Sequence, residues 1–232
     1  MQISGSIALV TGANRGIGRR FATQLLERGA KKVYATARNP ELADLPGVEV
    51  LRLDITDPAS VSAAAAAAQD VTLLINNAGI STGANLITGD LARIRLEMDT
   101  HYYGTLSMVR AFAPILAANG GGAILNVLSA LSWFSYDGAN AYSAAKAAEW
   151  SLTNGIRLEL RSQGTQVTGL HLGAADTDMM AGYEGDMIDP ADVTRAALDG
   201  IEGGDLEVVV DEWSAKVKAS LSADPSLFYG RP

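Results

Sequence analysis

The stretch ALVTGANRGIGRRFATQLLERGA, residues 8–30, passes from an apolar strand through a glycine-rich turn into a helix. Gly12 permits a tight turn, Gly16 lets backbone N–H groups reach a phosphate, and Gly18 allows the helix to lie close to the strand. Between these glycines lie Asn14, Arg15 and Ile17. A glycine trio by itself fits any strand-to-helix turn, but directly after the first strand of an α/β chain it predicts dinucleotide binding.

Short apolar runs rich in β-branched residues alternate with longer helical patterns along the rest of the chain. Most strand candidates are apolar nearly throughout, as in parallel strands that are covered on both faces. The predicted strands are 6–11, 32–37, 48–54, 71–76, 123–129, 166–172 and 206–211, and the predicted helices are 16–29, 58–69, 89–118, 139–163 and 190–202. This order predicts an α/β fold, a Rossmann-type doubly wound parallel sheet of about seven strands with helices on both faces.

The length of 232 residues fits one large α/β domain. We find no linker and no internal repeat that would divide the chain. We therefore predict a single dinucleotide-binding catalytic domain over residues 1–212, followed by residues 213–232 as a helical extension of the same domain.

The composition excludes several classes of function. The net charge of −8 disfavours a surface for nucleic acid or for an anionic membrane. The chain has no cysteine, which excludes disulfides and thiolate chemistry, and its two histidines, His101 and His171, are too far apart to form a zinc motif. The N-terminus lacks the pattern of a secretion signal and no apolar stretch is long enough to span a membrane, so we expect a cytoplasmic enzyme.

The segment AYSAAKAAEW, residues 141–150, is a predicted helix made mostly of small residues. Tyr142 and Lys146 are four residues apart, which places both side chains on one face. The small neighbours allow another molecule to approach that face closely. The alternative interpretation is a tightly packed helix with one amphipathic tyrosine and one lysine whose aliphatic stem is buried.

The end of the second predicted strand bears on cofactor choice. Folds that bind NAD usually carry an acid there for the ribose 2′-hydroxyl. This chain has Ala37 and then Arg38, and Arg15 lies in the glycine turn. Two arginines in these places favour a 2′-phosphate and therefore NADP(H), although NAD(H) stays possible.

Six short motifs occur in an order and spacing that resemble one enzyme family. They are TGANRGIG (11–18), LDITD (53–57), NNAG (76–79), NVLS (126–129), YSAAK (142–146) and GAADTDM (173–179). Over about residues 3–212 the chain resembles the compact, single-domain branch of the short-chain dehydrogenase/reductases.

The resemblance implies roles for individual residues. Ser129 would orient the substrate, and Tyr142 and Lys146 would form the catalytic pair. The implied cofactor site adds Asp54, Asn76, Ala78, Gly79 and Thr177 to the glycine turn and Arg38, and Tyr142 and Lys146 also contribute to it.

The physical chemistry of this trio agrees with those roles. A free tyrosine titrates near ~10, but an ammonium one turn away favours the phenolate. Tyr142 can then exchange a proton with a substrate oxygen held by Ser129 while a hydride moves. We expect an NADP(H)-dependent oxidoreductase that interconverts a carbonyl and an alcohol. The alternatives are an NAD-preferring alcohol dehydrogenase and a non-catalytic dinucleotide-binding sensor.

Three departures from the family pattern stand out. His101 replaces an asparagine whose main-chain carbonyl serves a proton relay, so either the backbone keeps that role or the imidazole joins the catalytic residues. Leu172 and Gly173 replace a proline–glycine pair, and Asp211-Glu212-Trp213 replaces an Asp-Gly-Gly run. Only the first departure is expected to touch the chemistry.

Two loops are expected to form the substrate pocket, residues 130–138 and 178–185, since ligands bind at the carboxyl ends of strands. Its candidate residues, besides Ser129, are Trp133, Phe134, Tyr136, Met179, Met180 and Tyr183. This lining favours an apolar or aromatic ketone as the small-molecule substrate. The resemblance also implies a homo-oligomer, with a dimer favoured, that pairs the predicted helices 89–118 and 139–163.

Overall fold

The computed structural model describes residues 1–42 and 45–230. Its strands are β1 (Ile7–Val10), β2 (Lys32–Ala37), β3 (Glu49–Arg52), β4 (Leu73–Asn76), β5 (Ala123–Val127), β6 (Gln166–His171) and β7 (Glu207–Val209). Within the described residues they form one seven-stranded sheet in the order β3-β2-β1-β4-β5-β6-β7, and every neighbouring pair is parallel. The predicted doubly wound fold is confirmed.

The helices begin close to where the sequence patterns place them. They are α1 (Gly16–Glu27), α2 (Pro58–Ala67), α3 (Leu91–Met98), α4 (Thr105–Ala118), α5 (Asn140–Glu159), α6 (Pro190–Gly203), α7 (Glu212–Ala219) and α8 (Ser226–Tyr229). An aspartate precedes α2, α3, α6 and α7, and in each case its carboxylate accepts a hydrogen bond from a backbone N–H of the first turn. These side-chain caps fix the helix starts because they satisfy donors that have no partner inside the helix.

The predicted helix over 89–118 is not continuous. After α3 the chain enters a π-helical segment, Asp99–Gly104, before α4 begins. Gly104 allows close packing there, since a Cβ atom at this position would lie 2.8 Å from Cδ1 of Ile55. The segment turns Thr100 and His101 toward the carboxyl ends of the strands, where both line a cavity.

One hydrophobic layer covers each face of the sheet. Phe21 of α1 and Leu198 of α6 belong to the first layer, and Phe112 of α4 and Ile156 of α5 belong to the second. Because the central strands lie between the two layers, their side chains are buried on both sides, which explains their nearly continuous apolar sequences.

The chain after β7 folds against the same sheet. The Asp211 carboxylate accepts hydrogen bonds from the backbone N–H of Gly173 and from the backbone N–H and hydroxyl of Ser214. These bonds join the start of α7 to the loop that follows β6. Residues 231 and 232 of the predicted extension lie outside the described residues, and in the described part no helix is both long and apolar enough to cross a membrane.

Candidate active site

The carboxyl ends of the central strands open into a cavity of about 1370 Å³. It lies where the strand order reverses, between β1 and β4, which is the usual ligand site of an open parallel sheet. Most predicted cofactor residues line it: Gly12, Asn14, Arg15, Gly16, Ile17, Gly18, Arg38, Asp54, Ala78, Gly79, Tyr142, Lys146 and Thr177.

The glycine turn after β1 leaves room that side chains would fill. Gly12 and Gly16 have φ angles of +65° and +53°, which other residues rarely adopt. A Cβ atom on Gly18 would lie 2.2 Å from the carbonyl oxygen of Gly12, and one on Gly16 would lie 3.3 Å from Cγ2 of Thr177. The turn therefore brings bare backbone and the N-terminus of α1 to the cavity, and this cradle fits the phosphates of a dinucleotide.

Asn77 fixes the turn, and sequence reasoning missed it. Its side-chain amide donates to the carbonyl oxygens of Thr11 at 2.9 Å and Gly12 at 3.3 Å. The Thr11 hydroxyl accepts from the backbone N–H groups of Asn77 and Ala78, both at 2.9 Å. Asn76, another predicted cofactor residue, does not line the cavity; its side chain is buried and donates to Oδ1 of Asn126 at 2.9 Å.

Charged side chains mark the end of the cavity near β2 and β3. Burial alone would raise the pKa of Asp54, but hydrogen bonds from Thr56 and the positive charges of Arg38 and Arg52 hold that pKa below its usual value. Arg15 is paired with Asp178 across the cavity at 3.0 Å, and both side chains are exposed. An exposed pair of this kind is worth only about 0–1 kcal/mol, so Arg15 is free to exchange this partner for another anion.

Ser129, Tyr142 and Lys146 line the same part of the cavity. Ser129 follows β5, and its hydroxyl accepts from the backbone N–H of Leu131 at 3.1 Å. Burial raises the pKa of Tyr142, although the Lys146 ammonium and a hydrogen bond with Ser129 act in the opposite direction. The phenol therefore keeps its proton more firmly in this structure than the helix spacing alone suggests.

A buried carboxylate that the sequence analysis did not single out holds Lys146. Nζ of Lys146 donates to Oε2 of Glu149 and to the carbonyl oxygen of Val127, both at 2.7 Å. Burial alone would lower the pKa of Lys146, but Glu149, Tyr142 and Glu97 together outweigh burial and raise that pKa. Thr105 donates to the other oxygen of Glu149 at 2.8 Å. The signal available in the sequence was the spacing of three residues between Lys146 and Glu149 on one helix face.

His101 lies in the π-helical segment and is 1% exposed. Its Nε2 atom lies 2.9 Å from the carbonyl oxygen of Ile80, within hydrogen-bond distance. The ring meets Tyr142 edge-on at 5.2 Å between centroids. The imidazole thus takes the place of the family's asparagine and hydrogen-bonds the backbone of Ile80.

Two predicted pocket residues point elsewhere. Trp133 stacks on His171 with ring centroids 3.8 Å apart, and Phe134 lies parallel to Tyr229 at 5.3 Å. Both residues directly follow the 3₁₀ turn Ala130–Ser132 and do not line the cavity. Tyr136, Met179, Met180 and Tyr183 do line the cavity.

The tail also contributes to the cavity. Asp211 and Trp213 line it, together with Met187 from the loop before α6. Two residues of the Asp211-Glu212-Trp213 departure therefore lie in the cavity wall, a placement that the sequence analysis did not predict. Its sequence held one signal, a tryptophan where a small residue is usual.

The family model for short chain dehydrogenases matches residues 6–187. The chain belongs to the short-chain dehydrogenase family. A short chain dehydrogenase from Burkholderia cenocepacia, solved in complex with NADP, is 40% identical and superposes with a TM-score of 0.95 over 100% of this chain and 98% of that one.

The chain is also similar to two curated relatives, an oxidoreductase and a reductase. An uncharacterized oxidoreductase of Staphylococcus aureus is 30% identical, covering 84% of this chain and 90% of its own. An NADPH-dependent 1-acyldihydroxyacetone phosphate reductase of Schizosaccharomyces pombe is 34% identical, covering 79% of this chain and 64% of its own. This short-chain dehydrogenase is therefore an oxidoreductase of a family that binds a nicotinamide dinucleotide and acts on small molecules.

Proposed function

We propose that this protein is an NADP(H)-dependent oxidoreductase that interconverts a carbonyl and an alcohol. The observation that carries the proposal is the convergence of Ser129, Tyr142 and Lys146 on the cavity that the glycine turn also lines. The bound nicotinamide would give or take the hydride. An NAD-preferring alcohol dehydrogenase is the alternative with the same chemistry.

Each of the three side chains has a distinct task in this proposal. In the reducing direction the Tyr142 hydroxyl donates its proton to the substrate oxygen as that oxygen becomes an alkoxide. The Ser129 hydroxyl holds the same oxygen by a hydrogen bond. The Lys146 ammonium stabilises the phenolate that Tyr142 leaves behind, because an opposite charge nearby favours the ionised form.

The preference for NADP(H) rests on Arg15 and Arg38. Both line the cavity, and Ala37 supplies no acid that would repel a 2′-phosphate. Charge-assisted hydrogen bonds from guanidinium groups suit a phosphate. The NADP complex of the Burkholderia cenocepacia protein and the NADPH dependence of the Schizosaccharomyces pombe reductase support this preference.

The substrate proposed is an uncharged apolar or aromatic ketone. Tyr136, Met179, Tyr183, Met187 and Trp213 give the cavity wall large apolar surfaces. The wall also carries acidic side chains, Asp137, Asp178, Asp186 and Asp211. Negative charges in a confined space repel anions, so acidic and phosphorylated substrates are disfavoured.

The broader expectations from the sequence stay proposals. We propose one catalytic domain over residues 1–212 with residues 213–232 as its extension, no nucleic-acid or membrane partner, and a cytoplasmic location. A homodimer through the α4 and α5 faces is proposed as well. Tyr103 and Leu158 support it, since these apolar side chains are 56% and 73% exposed near those faces.

Two measurements, made one after the other, test the function. NADPH fluorescence on mixing with the protein reports binding, and a panel of ketones, aldehydes and alcohols with NADPH or NADP⁺ then reports turnover. Binding with turnover of apolar ketones supports the proposal. Binding without turnover of any carbonyl or alcohol supports the non-catalytic sensor, which the intact trio of Ser129, Tyr142 and Lys146 argues against.

A further inference from the structure

His171 is a buried histidine that the proposed chemistry does not use. It is the last residue of β6, it is 0% exposed, and it does not line the cavity. Burying a polar ring costs free energy unless its polar atoms find hydrogen-bond partners. The contacts of the two ring nitrogens therefore indicate what this side chain does.

Nδ1 of His171 lies 3.1 Å from the carbonyl oxygen of Ser129, a residue 42 positions earlier in the chain. A carbonyl oxygen can only accept a hydrogen bond, so Nδ1 carries a proton and donates it. Burial lowers the pKa of His171 to about 4, so the ring is neutral at pH 7 and its one proton lies on Nδ1. Nε2 makes no hydrogen bond within the described residues, although Oε1 of Glu207 lies 3.3 Å from it.

An aromatic stack holds the imidazole in this orientation. The Trp133 ring lies almost parallel to the His171 ring, with centroids 3.8 Å apart and an angle of 13° between the planes. Trp133 in turn meets Trp150 of α5 edge-on at 6.1 Å, and Nζ of Lys218 of α7 lies 5.6 Å from its centroid. Because Trp133 covers one face of the imidazole, the ring cannot tilt toward that side.

The peptide that joins Ser129 to Ala130 is held at both ends. Its carbonyl oxygen accepts from His171, and its N–H donates to the carbonyl oxygen of Leu172 at 2.9 Å. The same carbonyl oxygen also accepts from the backbone N–H of Ser132 at 3.0 Å, a bond within the 3₁₀ turn. The bond within the turn shapes it locally, whereas the bonds to His171 and Leu172 orient the peptide relative to the sheet.

We propose that His171 is a positioning residue, whose Nδ1–H bond aims the Ser129 hydroxyl at the substrate oxygen, and that Trp133 holds the imidazole in place. This inference rests on the proposed oxidoreductase function. Without the bond, one end of the Ser129–Ala130 peptide is free, so the hydroxyl spends less time in the direction that meets the substrate oxygen. Because His171 does not line the cavity, it acts through Ser129.

The hydrogen bond can be tested on the full-length protein without turnover. NMR of the imidazole rings at pH 7 should show the His171 proton on Nδ1, and His171→Asn identifies its signals because the chain has only two histidines. Hydrogen exchange of the Ala130 N–H should be at least tenfold faster in His171→Leu, relative to the N–H of Ala123, which donates to Thr72 at the other end of β5. A ring without a proton on Nδ1, or an unchanged ratio of the two exchange rates, overturns the proposal.

Variants at position 171 test the effect on the reaction. His171→Leu removes the donor, and His171→Gln places its amide nitrogen near the position of Nε2, so each should lower kcat at least tenfold while KM for NADPH stays within threefold. His171→Asn places its amide nitrogen near the position of Nδ1 and should keep kcat within threefold of the unmodified protein. Equal kcat values in all three variants, whether lowered or not, contradict the proposal. If His171→Leu does not fold, His171→Gln carries the same comparison.

A double-mutant cycle separates positioning from general damage to the fold. Ser129→Ala leaves no hydroxyl to aim, so adding His171→Leu should lower kcat less than threefold further. A further loss as large as in the unmodified protein contradicts the proposal. Leu198→Ala is the control for stability, because it opens a cavity in the buried face of α6 and should leave kcat unaltered.

The proposed function can fail separately from this inference. If the unmodified protein turns over no carbonyl or alcohol, the proposed function is contradicted. The ring NMR and the exchange rate of the Ala130 N–H then still decide whether His171 holds Ser129.

Discussion

The Tyr229 hydroxyl accepts a hydrogen bond of 3.1 Å from the backbone N–H of Ser135, 94 residues earlier in the chain. This bond ties α8 to the loop that carries Tyr136 into the cavity wall. Phe134 reinforces the tie, because its ring packs against Trp213, Phe228 and Tyr229. The end of the chain therefore supports one wall of the candidate substrate pocket.

A chain that ends at Ala223 lacks α8 and should bind substrate less well. We expect KM for the carbonyl to rise several-fold while KM for NADPH changes less than twofold, since the contacts of α8 described above are with the substrate loop. Tyr229→Phe is the milder variant, because it removes one hydrogen bond worth about 0.5–1.5 kcal/mol and keeps the ring packing. Steady-state kinetics decide the point, and equal losses in both KM values would contradict it.

Tyr142→Phe removes the hydroxyl that transfers the proton and keeps the ring. We expect kcat to fall by about 10²–10⁴-fold, the usual loss for a general acid. NADPH binding, measured by fluorescence, should stay within threefold and serves as the control for folding. A variant that keeps more than a tenth of kcat shows that another group donates the proton.

Arg38→Ala removes a guanidinium from the cofactor end of the cavity. A charge-assisted hydrogen bond contributes about 1.5–3 kcal/mol, so KM for NADPH should rise at least tenfold and KM for NADH should barely change. Arg161→Ala is the control, because Arg161 is an exposed arginine after α5 that does not line the cavity. Ala37→Asp should shift preference toward NADH. Equal use of NADPH and NADH by the unmodified enzyme would refute the assignment.

His171 makes the stability of the fold depend on pH. Burial lowers the pKa of His171 to about 4, below the ordinary value for histidine of about 6.5. The folded state therefore favours the neutral ring, and the resulting stability is present above pH 6.5 and is lost as pH falls toward 4. The full effect is roughly 3 kcal/mol.

Denaturant unfolding of the unmodified protein and of His171→Gln between pH 4 and 7 checks this. The free energy of unfolding should fall more steeply with acid in the unmodified protein. Glu207, 3.3 Å from Nε2, and Lys218, which pairs with Glu207, are the charged groups facing the ring from β7 and α7. Parallel pH curves for the two proteins would show that His171 does not change its charge in this range.

The proposed dimer predicts a solution mass near twice that of the chain. Light scattering at micromolar concentration measures it. Leu158→Asp places a charge on the exposed apolar face of α5 and should shift the protein toward the monomer. A tetramer would contradict the proposed assembly.

The sheet and the cofactor cradle could be predicted because their signals are local. Apolar strands and the glycine spacing after β1 follow from the conformations that Gly12 and Gly16 must adopt. The apolar spacing over 89–118 predicts one helix and does not reveal the π-helical segment Asp99–Gly104. Apolar spacing indicates which face of a helix is buried, but it does not show whether a given turn is α-helical or π-helical.

The remaining errors come from packing between distant parts of the chain. Trp133 and Phe134 follow Ser129 in sequence, but their directions are set by His171 and by the tail. Glu97 and Glu149 resemble solvated helix residues until the sheet, α3 and α5 enclose them. Burial of a charged side chain depends on what packs over it, which no single segment encodes.

The space beside Gly79 is filled by the His101 imidazole, so it cannot also hold a side chain at position 79. A Cβ atom on Gly79 would lie 2.8 Å from Cε1 of His101, and the imidazole is held in place by its bond to Ile80. The two positions are therefore coupled over evolutionary time. A related chain can enlarge residue 79 only after it has given up the histidine, so the imidazole requires the glycine, whereas the glycine does not require the imidazole.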